Sequence, residues 1–208
     1  MENHTKEGNM LSLKYIKKIT KHYEKIFNTS TECAGAIMDY DVQDKPCAMV
    51  YVALPTEDAP FYKLGTIGMS EYRQKKSKTP YTELIMLLPQ YWEISSNEPR
   101  WRWPITLLQM AVKAPYLTNS TFTYYHSFAQ SPNFEPFHSS TDKSVVLFTP
   151  FRIFDKKFQT LRTGLFKKIH FMQMLPVNKF TYDAVDKKNR QELMEKLINS
   201  GQFSYLFY

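Results

Sequence analysis

The chain has 208 residues, enough to bury a sizeable core without metals or disulfides, and a single domain over 1–208 is expected. Its 43% hydrophobic and 23% charged residues describe a globular protein, and two cysteines, Cys33 and Cys47, with no C-x-x-C, exclude a disulfide framework and indicate a reduced compartment. The net charge of +7 is concentrated in residues 151–190, where ten Lys or Arg face three Asp, yet no zinc-finger or RNA-binding signature accompanies it; a solvated helix face and surface turns account for it first, and as a binding surface it fits an acidic protein better than nucleic acid.

Leu13, Ile16, Ile19, Tyr23, Ile26 and Phe27 recur at helical spacing opposite a lysine-rich face. This predicts an amphipathic helix over 11–28, capped by Ser12 and leaving through residues 28–31. Two apolar stretches, 34–38 and 47–54, flank the charged segment 39–46 and read as a strand hairpin. A further strand pair is expected at 61–69 and 81–88, joined by the polar, lysine-rich residues 71–78, which belong on the surface. Residues 101–114 change to helical period, with Pro104 tolerated in the first turn and Pro115 expected to end the helix. Strands are expected at 122–128, 144–151 and 166–175, and a last helix over 186–200 with Gly201 as its stop. The order helix, strands, helix, strands, helix argues for an α+β fold, with a mixed and largely antiparallel sheet and helices packed on it.

No phosphate loop, nucleophile elbow, zincin pair or zinc-like Cys/His spacing occurs. Gly65-x-x-Gly68 lacks the third glycine of a dinucleotide fingerprint and reads instead as a strand bend or close backbone packing. No cofactor is expected. Of the histidines, His4 and His22 belong to the leading segment with His22 toward solvent; His126 and His138, with Glu135, form a site only if the fold joins them, to a nucleophile such as Cys47 or Ser70. His170 sits inside a strand and reads as structural. Glu83 stands in an otherwise apolar strand, so it should face solvent, a basic side chain or a partner. Trp92, Trp101 and Trp103 are expected to pack the middle helix on the sheet, any exposed one being an anchor for a protein partner; Tyr72 and Arg73 are further anchor candidates by residue type.

Gly65-Thr-Ile-Gly-Met-Ser-Glu71, Tyr81-Thr-Glu-Leu-Ile-Met-Leu-Leu-Pro89, the segment 101–115 and His170-Phe-Met-Gln-Met-Leu-Pro176 resemble, in order, motifs of the suppressor-of-fused-like domain family. The resemblance covers roughly 30–200, and its first two motifs are the most specific. This chain has Phe180 and Thr181 where the family often carries an acidic residue. The resemblance is to the small stand-alone bacterial form. It implies a compact domain of mixed sheet and helices that binds another protein, an immunity-type protein neutralising a toxin encoded nearby. Two alternatives stand beside that expectation: a small hydrolase or transferase with a spatially assembled site, and a regulator of a transcription factor or nucleic-acid-associated protein. The N-terminal stretch lacks the apolar run of a signal peptide, and no segment approaches the roughly 18 apolar residues of a membrane span. A cytoplasmic location and no membrane partner are therefore expected.

Overall fold

The computed structural model describes residues 13–29, 34–38, 49–151, 156–185 and 190–199. Ser12, Cys33, Cys47, His4, Gly201 and the segment 39–46 lie outside these residues. Helix α1 (Leu13–Phe27) uses the predicted stripe: Ile19, Tyr23, Ile26 and Phe27 are buried, while Leu13 in the first turn remains exposed. The helix stops at Asn28, whose φ of 48° is the left-handed conformation that a short amide side chain tolerates.

Strands β1 (Ala34–Met38), β2 (Met49–Ala53), β3 (Phe61–Ile67) and β4 (Thr82–Pro89) form an antiparallel meander. Helix α2 (Pro99–Thr118) crosses to the second half of the chain, which contributes β5 (Ser127–Ala129), β6 (Lys143–Pro150), β7 (Thr160–Thr163) and β8 (Lys167–Asn178). All eight strands join one sheet in the order β1-β2-β3-β4-β8-β6-β5, with β7 on β8. Only the β4–β8 pairing is parallel, as a connection through a helix and several strands permits, and the remaining pairings are antiparallel. Helices α3 (Lys179–Val185) and α4 (Arg190–Asn199) close the described chain.

Alternation along β4 distributes the core. Leu84, Met86 and Leu88 pack under α2 with Trp103, Ile105, Leu108 and Val112, while Ile85 and Leu87 join Ile19, Tyr23 and Phe27 of α1 on the other face. Farther along the sheet Val145, Leu147, Leu175 and Val177 meet Val185 and Met194 from α3 and α4. Apolar strand runs without clean alternation follow from this two-sided burial.

Three expectations are corrected. The middle helix begins earlier, with Pro99 at its start, and continues past Pro115 to Thr118, ending at the left-handed Asn119; proline's fixed φ is helical, so here it removes one N–H without breaking the turn. The strand expected at 122–128 is reduced to Ser127–Ala129, because Tyr125 has a φ of 67° and only single bonds, Tyr125 N–H to the Phe148 carbonyl and Phe148 N–H to the His126 carbonyl, precede it. The 71–78 segment is largely exposed, but Gln74 within it and Thr79 just after it turn inward: the Gln74 side-chain oxygen accepts Phe122 N–H at 2.7 Å and Thr79 Oγ1 donates to the Phe122 carbonyl. No helix among the described residues is long and apolar enough to cross a membrane.

Candidate functional site

The Gly65–Glu71 motif builds a cage around one carboxylate. The β3–β4 ladder ends at Gly65↔Ile85, and beyond it β3 and β4 part. Thr66 Oγ1 bridges the fork, accepting the Leu84 N–H at 2.8 Å and donating to Glu83 Oε2 at 2.6 Å. Glu83 Oε1 accepts Gly68 N–H at 3.2 Å, Ser70 N–H at 3.0 Å, Ser70 Oγ–H at 2.8 Å and the Tyr15 hydroxyl at 2.8 Å, and Tyr15 and Ser70 also touch each other. Glycine is needed at 68, where φ is 128° and the chain turns into the short 3-10 segment Met69–Glu71 that aims two N–H groups inward. At Gly65 the requirement is space, since a Cβ would lie 2.4 Å from Cζ of Tyr23, whose hydroxyl donates to the Thr66 carbonyl at 2.7 Å.

Glu83 is thus fully buried, not turned to solvent, a cation or a partner. The sequence expectation weighed solvent, a basic side chain or a partner, whereas neutral donors within the fold meet both oxygens. Burial pushes its pKa above the usual carboxylate range despite the hydrogen bonds from Thr66, Ser70 and Tyr15 that oppose the shift. Burial and the nearby Glu83 likewise push the Tyr15 hydroxyl upward, so it remains a donor. Ser70 has a carboxylate neighbour, yet both residues have zero exposure, so neither meets a substrate from solvent in this conformation.

The tryptophans converge elsewhere, across the sheet from the cage. Trp92 is buried and its Nε1–H donates to the Trp101 carbonyl at 2.9 Å. Its ring meets Trp101 edge-on at 5.1 Å and Trp103 edge-on at 6.1 Å, and Trp103 stacks on Phe137 at 6.0 Å. Two surface cavities adjoin this cluster. One, of about 310 Å³, is lined by all three tryptophans, Tyr91, Arg100 and residues 140–143; the other, of about 320 Å³, lies between Pro99, Arg102, Trp103, Leu107 and Met110 of α2 and Phe137 and His138. Trp103 belongs to both. The indole N–H of Trp101 has no acceptor among the described residues.

Charge around the cavities is asymmetric. Asp142 accepts hydrogen bonds from Lys143 at 2.8 Å and Asn178 at 2.9 Å, which hold its pKa below the usual range and commit it to those partners. Arg100 lies over the Trp101 ring at 5.1 Å and pairs with Glu98 at 2.8 Å in an exposed bridge, while Arg102 makes no ion pair among the described residues. Both arginines stand in the first turn of α2, at the positive pole of the helix, where the nearby carboxylate is that of the N-cap residue Glu98, paired with Arg100.

Tyr72 and Arg73 do not join the tryptophans. Tyr72 packs against Tyr116 at 5.8 Å and lines, with Arg73, Val112, Pro115 and Asn119, a separate cavity of about 260 Å³. At about 100° per residue, positions 112, 115, 116 and 119 occupy the opposite flank of α2 from 99, 102, 103, 106 and 110.

The histidines serve local structure. His22 is buried, contrary to expectation: its ring lies 4.5 Å from Phe171, Nε2 bonds the Phe158 carbonyl at 2.9 Å, and burial lowers its pKa. His126 bonds the Thr121 carbonyl, and His138 Nδ1 accepts the Ser140 N–H at 3.1 Å. No hydrogen bond among the described residues links His126, His138 and Glu135. His170 reaches only the Tyr124 hydroxyl, at 3.5 Å, and burial lowers its pKa. Among the described residues no group of three or more His, Cys, Asp or Glu is placed to hold a metal ion.

The sequence profile of the family described as suppressor of fused protein (SUFU) matches residues 43–206. This chain belongs to the suppressor of fused family. The crystal structure of a SUFU homolog from Neisseria gonorrhoeae FA 1090 has the same fold, with a TM-score of 0.69 at 13% identity over 94% of each chain. No curated protein matches the chain. In this SUFU domain the matched span carries both the Glu83 cage and the tryptophan cavities; Tyr15, which completes the cage, precedes it. Sequence reasoning missed Thr66, Tyr15 and Phe137. A signal for the first was present, since a Gly-Thr-x-Gly-x-Ser string is dense in short-range donors. Tyr15 and Phe137 reach their sites only through tertiary packing.

Proposed function

We propose that this SUFU domain is a non-enzymatic protein-binding module of immunity type, which neutralises a cognate toxin by stoichiometric association. The observation carrying this reading is the pair of aromatic cavities about Trp103, open at the surface and rimmed by Tyr91, Arg100, Arg102 and Met110; His138 Nδ1 meets Ser140 Oγ at 2.8 Å beside them, but the Asp142 carboxylate is held by Lys143 and Asn178 and, among the described residues, bonds neither of the two. Aromatic and arginine side chains around small apolar cavities are the common composition of interface hot spots. A stable complex buries about 1,200–2,000 Å² in total, and the two cavities with the outer face of α2 supply a centre for such a footprint. Family membership supports the protein-binding part; the immunity role is the finer step.

Affinity purification of the native protein from its source cells at moderate salt, with mass spectrometry and stoichiometry, tests the proposal. A neighbouring-encoded toxin recovered at fixed ratio, with growth rescued when both are co-expressed, is the expected result. A toxin that stays active in the complex, or no protein partner at all, overturns it.

A further inference from the structure

The chemistry at the start of α2 narrows the partner. Resting on the protein-binding reading above, we infer that the Trp103 cavities receive a partner loop in which an Asp or Glu is followed or preceded closely by an aromatic or large aliphatic residue. The apolar side chain enters a cavity against Trp103, and the carboxylate meets Arg100 and Arg102.

Three observations converge on this choice. First, two cavities of about 310 and 320 Å³ share Trp103, each large enough for one bulky side chain, with Phe137, Leu107 and Met110 supplying apolar wall on one side. Second, the available charge has one sign. Arg102 is unpaired among the described residues, and the Arg100–Glu98 bridge is exposed on both sides and so is cheaply exchanged for a better carboxylate. Lys143 and Asp142 neutralise each other. Third, two arginines in the first turn of α2 stand against the helix dipole with one carboxylate, that of the N-cap residue Glu98, beside them. An incoming carboxylate would satisfy the dipole and both guanidinium groups at once, and the bidentate geometry of arginine suits that ligand. A cationic or purely apolar partner would leave this potential uncompensated.

Random twelve-residue peptides displayed on phage and selected on the immobilised full-length chain provide the test, with enriched peptides resynthesised and measured by fluorescence anisotropy. Enrichment should favour Asp or Glu within two or three positions of Trp, Phe or Leu, and amide-exchange protection should fall on residues 91–103 and 137–143. Arg100→Glu with Arg102→Glu should weaken binding about tenfold or more, with the thermal midpoint nearly unchanged because Arg100 is exposed and Arg102 makes no ion pair among the described residues. Peptides lacking acidic residues, equal binding by the double variant, protection confined to another surface, or no enrichment would each overturn the inference. The two proposals fail separately. A native toxin complex that leaves 91–103 unprotected removes this site and keeps the immunity role, whereas acidic–aromatic peptides bound here without any toxin partner remove that role and keep the site.

Discussion

Glu83→Ala removes the acceptor for five donors, and the cost follows from which of them can turn elsewhere. The hydroxyls of Thr66, Ser70 and Tyr15 rotate, and Tyr15 already touches Ser70, so part of their bonding is recoverable. The N–H groups of Gly68 and Ser70 are fixed by the turn and cannot follow. Each orphaned backbone donor costs about 1–3 kcal/mol, so the alanine variant should lose about 2–6 kcal/mol, a large part of the roughly 5–15 kcal/mol that holds a domain folded. Glu83→Gln retains one oxygen for the same N–H groups but presents an NH2 to Thr66 Oγ1, which already accepts the Leu84 N–H, and should lose only about 1 kcal/mol near neutral pH.

The pH dependence separates the amide from the acid. Because burial raises the folded-state pKa of Glu83, the native protein retains this proton where the unfolded chain has released it. The resulting stability is fully present below the unfolded carboxylate value of about 4.3 and is lost as pH rises through the folded value. Urea denaturation of wild type and Glu83→Gln across that range should therefore give a stability difference that shrinks with rising pH. A difference that grows with pH would mean that the cage bonds outweigh burial and depress the pKa, and an alanine variant within about 1 kcal/mol of wild type would refute the cage as a stabilising device.

Three further outcomes are expected. Gly65→Ala places a Cβ 2.4 Å from the Tyr23 ring and should cost about 1–3 kcal/mol; combined with Tyr23→Leu the loss should be smaller than the sum of the singles, and strict additivity in a denaturation cycle would disprove the clash. His22 has its pKa lowered chiefly by burial, so its contribution is present above about pH 6.5 and lost as pH falls through the folded value; His22→Gln should lose less stability than wild type between about pH 7.5 and 5 by thermal denaturation, and parallel curves would contradict this. Lys63 is buried in β3 with its ammonium donating to the Leu54 carbonyl at 2.9 Å, and it has no carboxylate partner among the described residues, so Lys63→Met should be neutral or stabilising by about 1–2 kcal/mol; a loss above about 1 kcal/mol in urea would show that this bond outweighs desolvation.

Much of the architecture was legible because its cause is local. The stripe from Ile19 to Phe27 and the apolar runs of β2, β3, β4, β6 and β8 carry their own periodicity, and both long helices and the mixed sheet follow from them. Strand β7 was not legible, being four residues, Thr-Leu-Arg-Thr, whose pairing with β8 supplies the whole signal. Helix α3 was missed for a similar reason: Phe180 within it is exposed, so no apolar stripe marks the segment. At the candidate site the residue types were readable but not their meeting. Trp101 and Trp103 share a helix, whereas Phe137 and Lys143 arrive from roughly 35–40 residues away through a loop whose course no spacing rule dictates. Glu83 was misplaced because a carboxylate in an apolar strand was weighed against water and cations, and not against the donors just upstream in the same motif.

The two polar features of this SUFU domain lie on opposite faces of the strands that carry them, and this separation has a functional consequence. The cage ties α1 to the end of β3 through Tyr15 and Tyr23, and its carboxyl group is sealed inside; the cavities sit at the start of α2 with Arg100 exposed and Arg102 half-buried. The hydrogen bonds of the first hold the fold together, whereas the second keeps two arginines at a helix start with the N-cap Glu98 beside them. Variants at the two should therefore dissociate. Glu83→Gln should alter the unfolding curve and leave partner affinity unchanged, while the Arg100→Glu, Arg102→Glu pair should weaken binding about tenfold or more in a domain of nearly unchanged thermal midpoint, the new carboxylates at the helix start offsetting the lost bridge to Glu98. If both variants lowered affinity together, β4 would have to transmit strain from Glu83 to Leu84, Met86 and Leu88 beneath α2, and the cage would then set the shape of the interface as well as the strength of the fold.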